Sequence, residues 1–483
     1  LNTQRATDQI KVGLGTASIL PGLDFETYSE AGFVFDEVTQ KWKPLPGAKK
    51  KGLSVVGATA YSEHPTTDVV CLAYDLKDGK YERLWLPGLP VPRDLIDYVI
   101  SGGILQAWNA RFEYLIWNNV LSKKYGWPRV KLSQLRCTMA KSVAMGYPAS
   151  LEIASKALAI DNSKMTEGKR LIKKFSIPRN PSAKKDWTRN EYDYNDPDSH
   201  LFNKYCIWDV KAEFEISTKV PDLLPLEQRV FELDQKINDR GCYVNLDEVD
   251  DLIFLVEQIN IELTEQLNLL TNGQVETHSQ IDRLKQWVNV QLGNIVGVNN
   301  PDTTYSYVES LDKFGVTELL ERGDLPDLVR KVLEIRQALS NSSVLKLYSI
   351  KNMATGSRIK GMFAYCGADR TGRFAGRGPQ PQNLPAKGPI KPWTPEVVAK
   401  VIETASHRDL ERFRALFPEV RASIAGSLRG LFQAAPRKEL ICSDYSSIEA
   451  VVLAMLAGEP ERIKVFQEQR CIYEATASDI TGV

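Results

Sequence analysis

DFETYSE, residues 24–30, sets acidic side chains two residues apart at Asp24 and Glu26. A period of two predicts a strand with both carboxylates on one face. Two such groups can hold a hard divalent cation, although a lone pair of this kind is usually a solvated strand face. Working outward, AWNARFEYLIWNNVL (107–121) places Asn109 and Glu113 four apart at the start of a predicted helix. NKYCIWDVKAEF (203–214) does the same with Tyr205 and Asp209. Residues four apart share a helical face, so each pair alone reads as polar residues on an amphipathic helix. Around them, the strand-like runs GLDFETYS, LSVVGATAYS, VVCLAYDL and ERLWLPG give way to the helical SLEIASKALAI and LFNKYCIWDVKAEFEIST. That succession predicts an α+β or mixed α/β layer domain.

Composition narrows the chemistry. The 483 residues carry 61 Lys+Arg against 61 Asp+Glu, with 43% hydrophobic and 25% charged residues, which excludes wholesale disorder and suggests several domains. No apolar run approaches the roughly 18 residues of a membrane span, so no membrane partner is expected. The first 20 residues read as a polar tail without a secretory signal. Seven scattered cysteines without a CxxC pair argue for a reducing cytoplasm and against a disulfide framework or zinc site. With only four histidines, any metal chemistry must run on carboxylates, which favours Mg²⁺ or Mn²⁺.

Beyond the connector VPDLLP (220–225) the pattern turns helical, with Leu226, Val230, Leu233 and Ile237 on one face and Gly241 as the stop. LDEVDDLIFLVEQINIELTEQLNLL and LPDLVRKVLEIRQALSNSSVLKLYSI continue it, so 220–357 reads as a helical arm. RIKGMFAY (358–365) returns to strand, and ELICSD followed by IEAVVLAMLAG reads as a buried strand leading into an apolar helix on a sheet. Residues 161–190 hold nine Lys/Arg against three Asp/Glu, and residues 356–391 seven against one. Two basic, loop-rich segments beside candidate catalytic motifs point to a polyanion partner.

A DxE strand, an NxxxE helix and a YxxxD helix in that order resemble the DEDDy proofreading 3′–5′ exonucleases. The resemblance covers residues 21–219 and implies an RNase H-like fold with a mixed sheet. It implies two metal ions per site, bridged by Asp24 and completed by Glu26 and Asp209. Tyr205 would orient the attacking water, Glu113 stands where most relatives carry Asp, and Asn109 would hold local structure or the terminal nucleotide. The basic KMTEGKRLIKKFSIPR (164–179) is similar to an insert of phage enzymes of this type.

TGRFAGRGPQPQNLPAKG (371–388) resembles the TGR…QNLP segment of family A DNA polymerases, the DNA polymerase I family. The likeness implies that Arg373, Gln382 and Asn383 contact the minor groove at a primer terminus, where acceptors recur at every base pair. LRGLFQAAPRKELICSDYSSIEAVVLAMLAGEP (428–460) is similar to the family's motif A. There Asp444 and the carbonyl of Tyr445 would ligate the metals of phosphoryl transfer, Glu449 would gate the sugar, and Arg429 would sit near the incoming triphosphate. The helical arm resembles the thumb, with Asn341, Ser342, Ser343 and Lys346 at its DNA-tracking tip.

The expected architecture is therefore α/β and multidomain: a tail (1–20), an RNase H-like exonuclease domain (21–219), a helical thumb and connector (220–357), and the first part of a palm (358–483). The implied function is DNA-directed DNA polymerisation with proofreading, in phage DNA replication within the cytoplasm of an infected bacterium. Its partners would be primer–template DNA, single-stranded 3′ ends and deoxynucleoside triphosphates. Cys471 stands where the family has Asp, and the fingers and the second palm aspartate do not occur before Val483. Three alternatives follow: a chain cut short, a split polymerase completed by a second polypeptide carrying fingers and the rest of the palm, or an exonuclease whose thumb and palm only bind DNA.

Overall fold

The computed structural model describes residues 17–482 apart from 161–166, 183–187, 191, 194, 294–306, 369 and 469. Most of the predicted tail, Lys164 of the basic stretch and part of SIPRNPSAKKDW thus lie outside the described residues. The chain divides at Gln433/Ala434 into two compact units.

In the first unit, β1 (Gly22–Tyr28) is the middle strand of a five-stranded mixed sheet. A separate hairpin of β2 (Phe33–Asp36) and β3 (Lys41–Pro44) follows, then helix α1 (Leu53–Glu63). β4 (Asp68–Asp75) and β5 (Arg83–Trp85) extend the sheet antiparallel on one side of β1. Helix α2 (Arg93–Ile100) leads to β6 (Leu105–Ala107), and α3 (Ala110–Ile116) precedes β7 (Leu135–Cys137). These two strands run parallel on the other side, completing the order β5-β4-β1-β6-β7. Then come α4 (Thr138–Ala144), α5 (Leu151–Ala157), α6 (Gly168–Phe175) and the long α7 (Pro197–Lys219).

Period two holds in β1. Leu23 and Phe25 enter the main core with Leu72, Trp117 and Trp127, while Asp24 and Glu26 are only half-buried. Beside them Cys71 and Ala73 of β4 pack against Cys206 and Val210, so α7 lies over the acidic face. LSVVGATAYS, expected as a strand, is instead helix α1, broken at Gly57 by a φ of 74°. Its β-branched valines favour strand only weakly, and burying Val56 and Tyr61 in the main core outweighs that preference.

The arm starts with α8 (Pro225–Arg240), ended by Gly241 at φ 64°. It continues through β8 (Cys242–Val244), α9 (Leu246–Leu270), α10 (Ile281–Gln291), α11 (Lys313–Glu321), α12 (Asp327–Ser340) and α13 (Lys346–Met353). α8 does not bury the predicted face: Leu226 is 62% and Leu233 55% exposed. Phe231, Asp234, Gln235 and Asn238 are buried instead. Asn238 exchanges hydrogen bonds with the Phe363 backbone, at 2.9 and 3.1 Å, which satisfies the polar face and leaves the leucines outside.

RIKGMFAY forms two short strands in different sheets rather than one. β9 (Ala354–Thr355) and β10 (Arg358–Ile359) join β8, whereas β11 (Phe363–Ala364) pairs with β12 (Ala375–Gly376). Helices α14 (Pro395–Ala405), α15 (Leu410–Leu416) and α16 (Val420–Ser427) pack on α9 and lead to β13 (Phe432–Gln433), which pairs with β8. Arg421 of α16 is buried and donates to the carbonyls of Ala338, Leu339 and Asn341 at the end of α12, and to Asn260 Oδ1 of α9.

The second unit contains α17 (Ile448–Ala457), α18 (Pro460–Gln467) and α19 (Ile472–Thr481). The expected buried strand before α17 is not formed. Residues 438–445 have no regular structure and Ile441 is 94% exposed. Among the described residues no strand pairs with this segment, and an extended segment without ladder partners is not a stable strand. For the same reason Val452, Leu453, Met455 and Leu456 of α17 face outward rather than onto a sheet. Among the described residues, no helix is long and apolar enough to cross a membrane.

Candidate metal and active site

Asp24 and Glu26 of β1 meet Asp209 of α7, one carboxylate oxygen from each lying within 4.8 Å of the others. Among the described residues no other acidic, histidine or cysteine cluster of three or more has this geometry. Local sequence explains the meeting. β1 pairs Asp24 with Ala73 and Glu26 with Cys71, and the register shifts immediately after Glu26. The small side chains on β4 let a helix approach, and irregularities of this kind often re-aim side chains beside functional sites. The Cys206 thiol donates to the Asp24 carbonyl at 3.4 Å, tying α7 to β1. α7 itself starts with Pro197 in its first turn and Asp196 as N-cap.

Tyr205, one turn before Asp209, is 1% exposed. Burial raises its phenol pKa far above the ordinary value, and the charges of Asp209, Glu26 and Asp24 raise it further. The hydroxyl therefore stays protonated and donates to Asp209. Glu113 of α3 is 4% exposed, and among the described residues its Oε2 has no hydrogen-bond partner. Burial, then the nearby charge of Asp24, pushes its carboxyl pKa well up. A buried carboxylate beside another is costly unless a positive charge offsets it. An all-oxygen set with an unsatisfied buried oxygen alongside suits a hard divalent cation. Asn109 is half-buried at the N-terminus of α3 and lines a cavity of about 210 Å³ with Arg111, Phe231, Asp234 and Tyr365.

Two neighbours went unread in the sequence. Glu213 lies one turn beyond Asp209, completely buried, accepting from the Thr138 hydroxyl and from Gln106 Nε2 at 3.3 Å. Burial pushes its carboxyl up to about 7. Its signal was the i+4 continuation of the Tyr205–Asp209 spacing. Gly168, the first residue of α6, lies against the Tyr205 ring, and no sequence pattern announces that contact.

The polymerase-like residues fall in two places. On the first unit, Lys346, Arg373, Gln382, Asn383 and Arg429 gather around the loop 371–385. Lys346 Nζ donates to Gly378 O at 3.2 Å, and Asn383 Nδ2 reaches Gln380 Oε1 at 3.4 Å. The Gln382 amide lies over Gly376, where a Cβ would come within 2.3 Å of it. Arg429 donates from Nε and Nη2 to Leu384 O, at 3.0 and 2.9 Å, so its guanidinium holds the loop. Asp444, Tyr445 and Glu449 belong to the second unit. Asp444 and Tyr445 are exposed on the irregular segment, and Glu449 is in the first turn of α17.

Both groups fall within a region that has known relatives. Residues 256–483 match the family model "DNA polymerase family A". They are thus a family A DNA polymerase-like domain, related to the polymerases of phages and bacteria. The DNA polymerase of Bacillus phage SP02 is 30% identical over 439 residues, covering 88% of this chain and 63% of that protein. The thermostable DNA polymerase I of Thermus thermophilus is 30% identical over 158 residues, which is 32% of this chain and 15% of that protein. The chain therefore spans less than two thirds of these relatives. A solved structure, the POL domain of Pol1 from M. smegmatis in complex with DNA primer-template and dNTP, aligns at a TM-score of 0.47 with 16% identity. It covers 86% of this chain and 61% of that one, a level that does not establish a shared fold.

Proposed function

We propose that this chain is a 3′–5′ exonuclease joined to a polymerase-type DNA-binding platform. The meeting of Asp24, Glu26 and Asp209 beneath the Tyr205 hydroxyl carries the reading. It is supported by the sheet, in which the first three strands are antiparallel and the last two parallel to the first, as an RNase H-like domain over 21–219 requires. Asp24, Glu26 and Asp209 would hold two divalent cations, with Glu113 contributing through its unsatisfied oxygen. Bound there, the cations supply Lewis acidity for hydrolysis of a phosphodiester. The chain's own part is positional. Tyr205 donates a hydrogen bond that orients the attacking water, and Asn109 reaches toward the terminal nucleotide. The loop 371–385, with Arg373, Gln382 and Asn383, and Lys346 at the arm's tip would track primer–template DNA.

Asp24→Ala combined with Glu26→Ala should abolish magnesium-dependent release of nucleotides from labelled single-stranded DNA and leave the circular dichroism spectrum intact. Undiminished trimming by the double variant would remove the assignment. A second reading, polymerisation from deoxynucleoside triphosphates in phage replication, is favoured by the family match over residues 256–483. In it Asp444 and Tyr445 ligate metal, Glu449 gates the sugar, Arg429 approaches the triphosphate, and a second polypeptide could supply further palm and fingers. The two separate on a primer–template: a polypeptide of residues 1–483 should shorten the primer with or without nucleotides. Extension by it alone would favour the second reading.

A further inference from the structure

Helix α6 packs its ends against the same aromatic stack. At its start, a Cβ added to Gly168 would stand 2.5 Å from Tyr205 Cε2 and 3.0 Å from Cζ, closer than atoms tolerate. At its end, Phe175 stacks on Phe202 (5.3 Å, 21° between planes), which stacks on Tyr205 (6.1 Å, 9°). Phe175, Phe202 and Tyr205 are all buried together with Leu171 in one cluster. Two cations of α6 pin it to the first turn of α7. Arg170 forks onto Asp198 with both bonds at 2.7 Å, and Lys174 reaches Asp198 at 2.8 Å as well as Asp196. The Tyr205 ring is thus held between its stacking partner and a backbone that has no side chain.

We propose that Gly168 is a positioning residue for Tyr205: the missing Cβ lets the ring lie where its hydroxyl meets Asp209. This rests on the exonuclease reading. The contact reverses an ordinary preference. Ala is favoured over Gly in a helix interior by about 1 kcal/mol and by less at a first helical position such as this, yet here the added methyl must move either the ring or α6. Displacing a water-orienting hydroxyl by a fraction of an ångström harms turnover rather than binding of the strand.

The test is a pair of double-mutant cycles. For stability, Gly168→Ala should lower Tm in the parent chain, but be neutral or raise Tm in a Tyr205→Ala background, where the ring is gone. For activity, Gly168→Ala should lower kcat on single-stranded DNA by about 10- to 100-fold with KM little changed. In a Tyr205→Phe background it should cost no more than about twofold, because the hydroxyl is already absent. Should Gly168→Ala not fold alone, folding of the Gly168→Ala/Tyr205→Ala pair supports the contact, and failure of both overturns it. Equal loss of Tm with and without the ring, or an unchanged kcat, also overturns it. A parent chain that trims no DNA would refute the exonuclease reading, while the stability cycle would still judge the contact.

Discussion

Glu213 is a residue whose proton affinity differs between the folded chain and the unfolded one. Its carboxyl rises from an ordinary 4.5 to about 7 because burial penalises the charge more than Thr138, Lys141 and Gln106 relieve it. The folded state holds this proton more tightly than the unfolded chain, so the stability is full below about pH 4.5 and lost as pH rises through about 7. The loss is about 3 kcal/mol at most. Glu213→Gln, which can keep both hydrogen bonds, should flatten that slope in metal-free urea denaturation. An unchanged pH profile would refute the assignment. Joining Asp24, Glu26, Tyr205 and Asp209 into one site took the order of their motifs and its resemblance to an exonuclease pattern; from strand and helix periods alone, only the sharing of a face within each pair was legible. Gly168 was not, because a close approach between segments far apart in sequence leaves no local mark.

At the scale of elements, the long helices and β1 were legible, and the faces they bury were less so. α8 shows why: hydrophobic periodicity assumes that apolar residues go inside, but Asn238 and Gln235 are satisfied by partners over a hundred positions away. α1 failed because core burial of Val56 and Tyr61 outweighs weak strand propensity, and the segment before α17 because strand propensity without a pairing strand does not make a strand. The loop 371–385 was legible as a loop but not as a held one. Arg429→Ala should remove its paired hydrogen bonds to Leu384 O, worth about 1.5–3 kcal/mol locally. Amide exchange should then quicken across residues 380–386 with little change in exonuclease rate. Unaltered exchange would mean that the loop holds itself.

For the whole molecule, the division at Gln433/Ala434 separates a unit with its own large cores from one that leaves Leu440, Ile441, Leu453 and Leu456 exposed. Extended apolar surface of this kind binds hydrophobic dyes and promotes association. A polypeptide ending at Gln433 should therefore bind less of such a dye, elute closer to its monomer size and trim single-stranded DNA as the parent does. Lost trimming would show that the exonuclease depends on the second unit. Within the first unit, Arg421 has a mechanical consequence. One guanidinium clasps three carbonyls at the end of α12 and a side chain of α9. Swinging α12 away from α16 strips all three carbonyls from the same cation at once and leaves it Asn260 Oδ1 alone. The helical arm is thus latched at its root: it moves with α16 as one lever, or it releases in a single step, with no stable half-open position at that fulcrum.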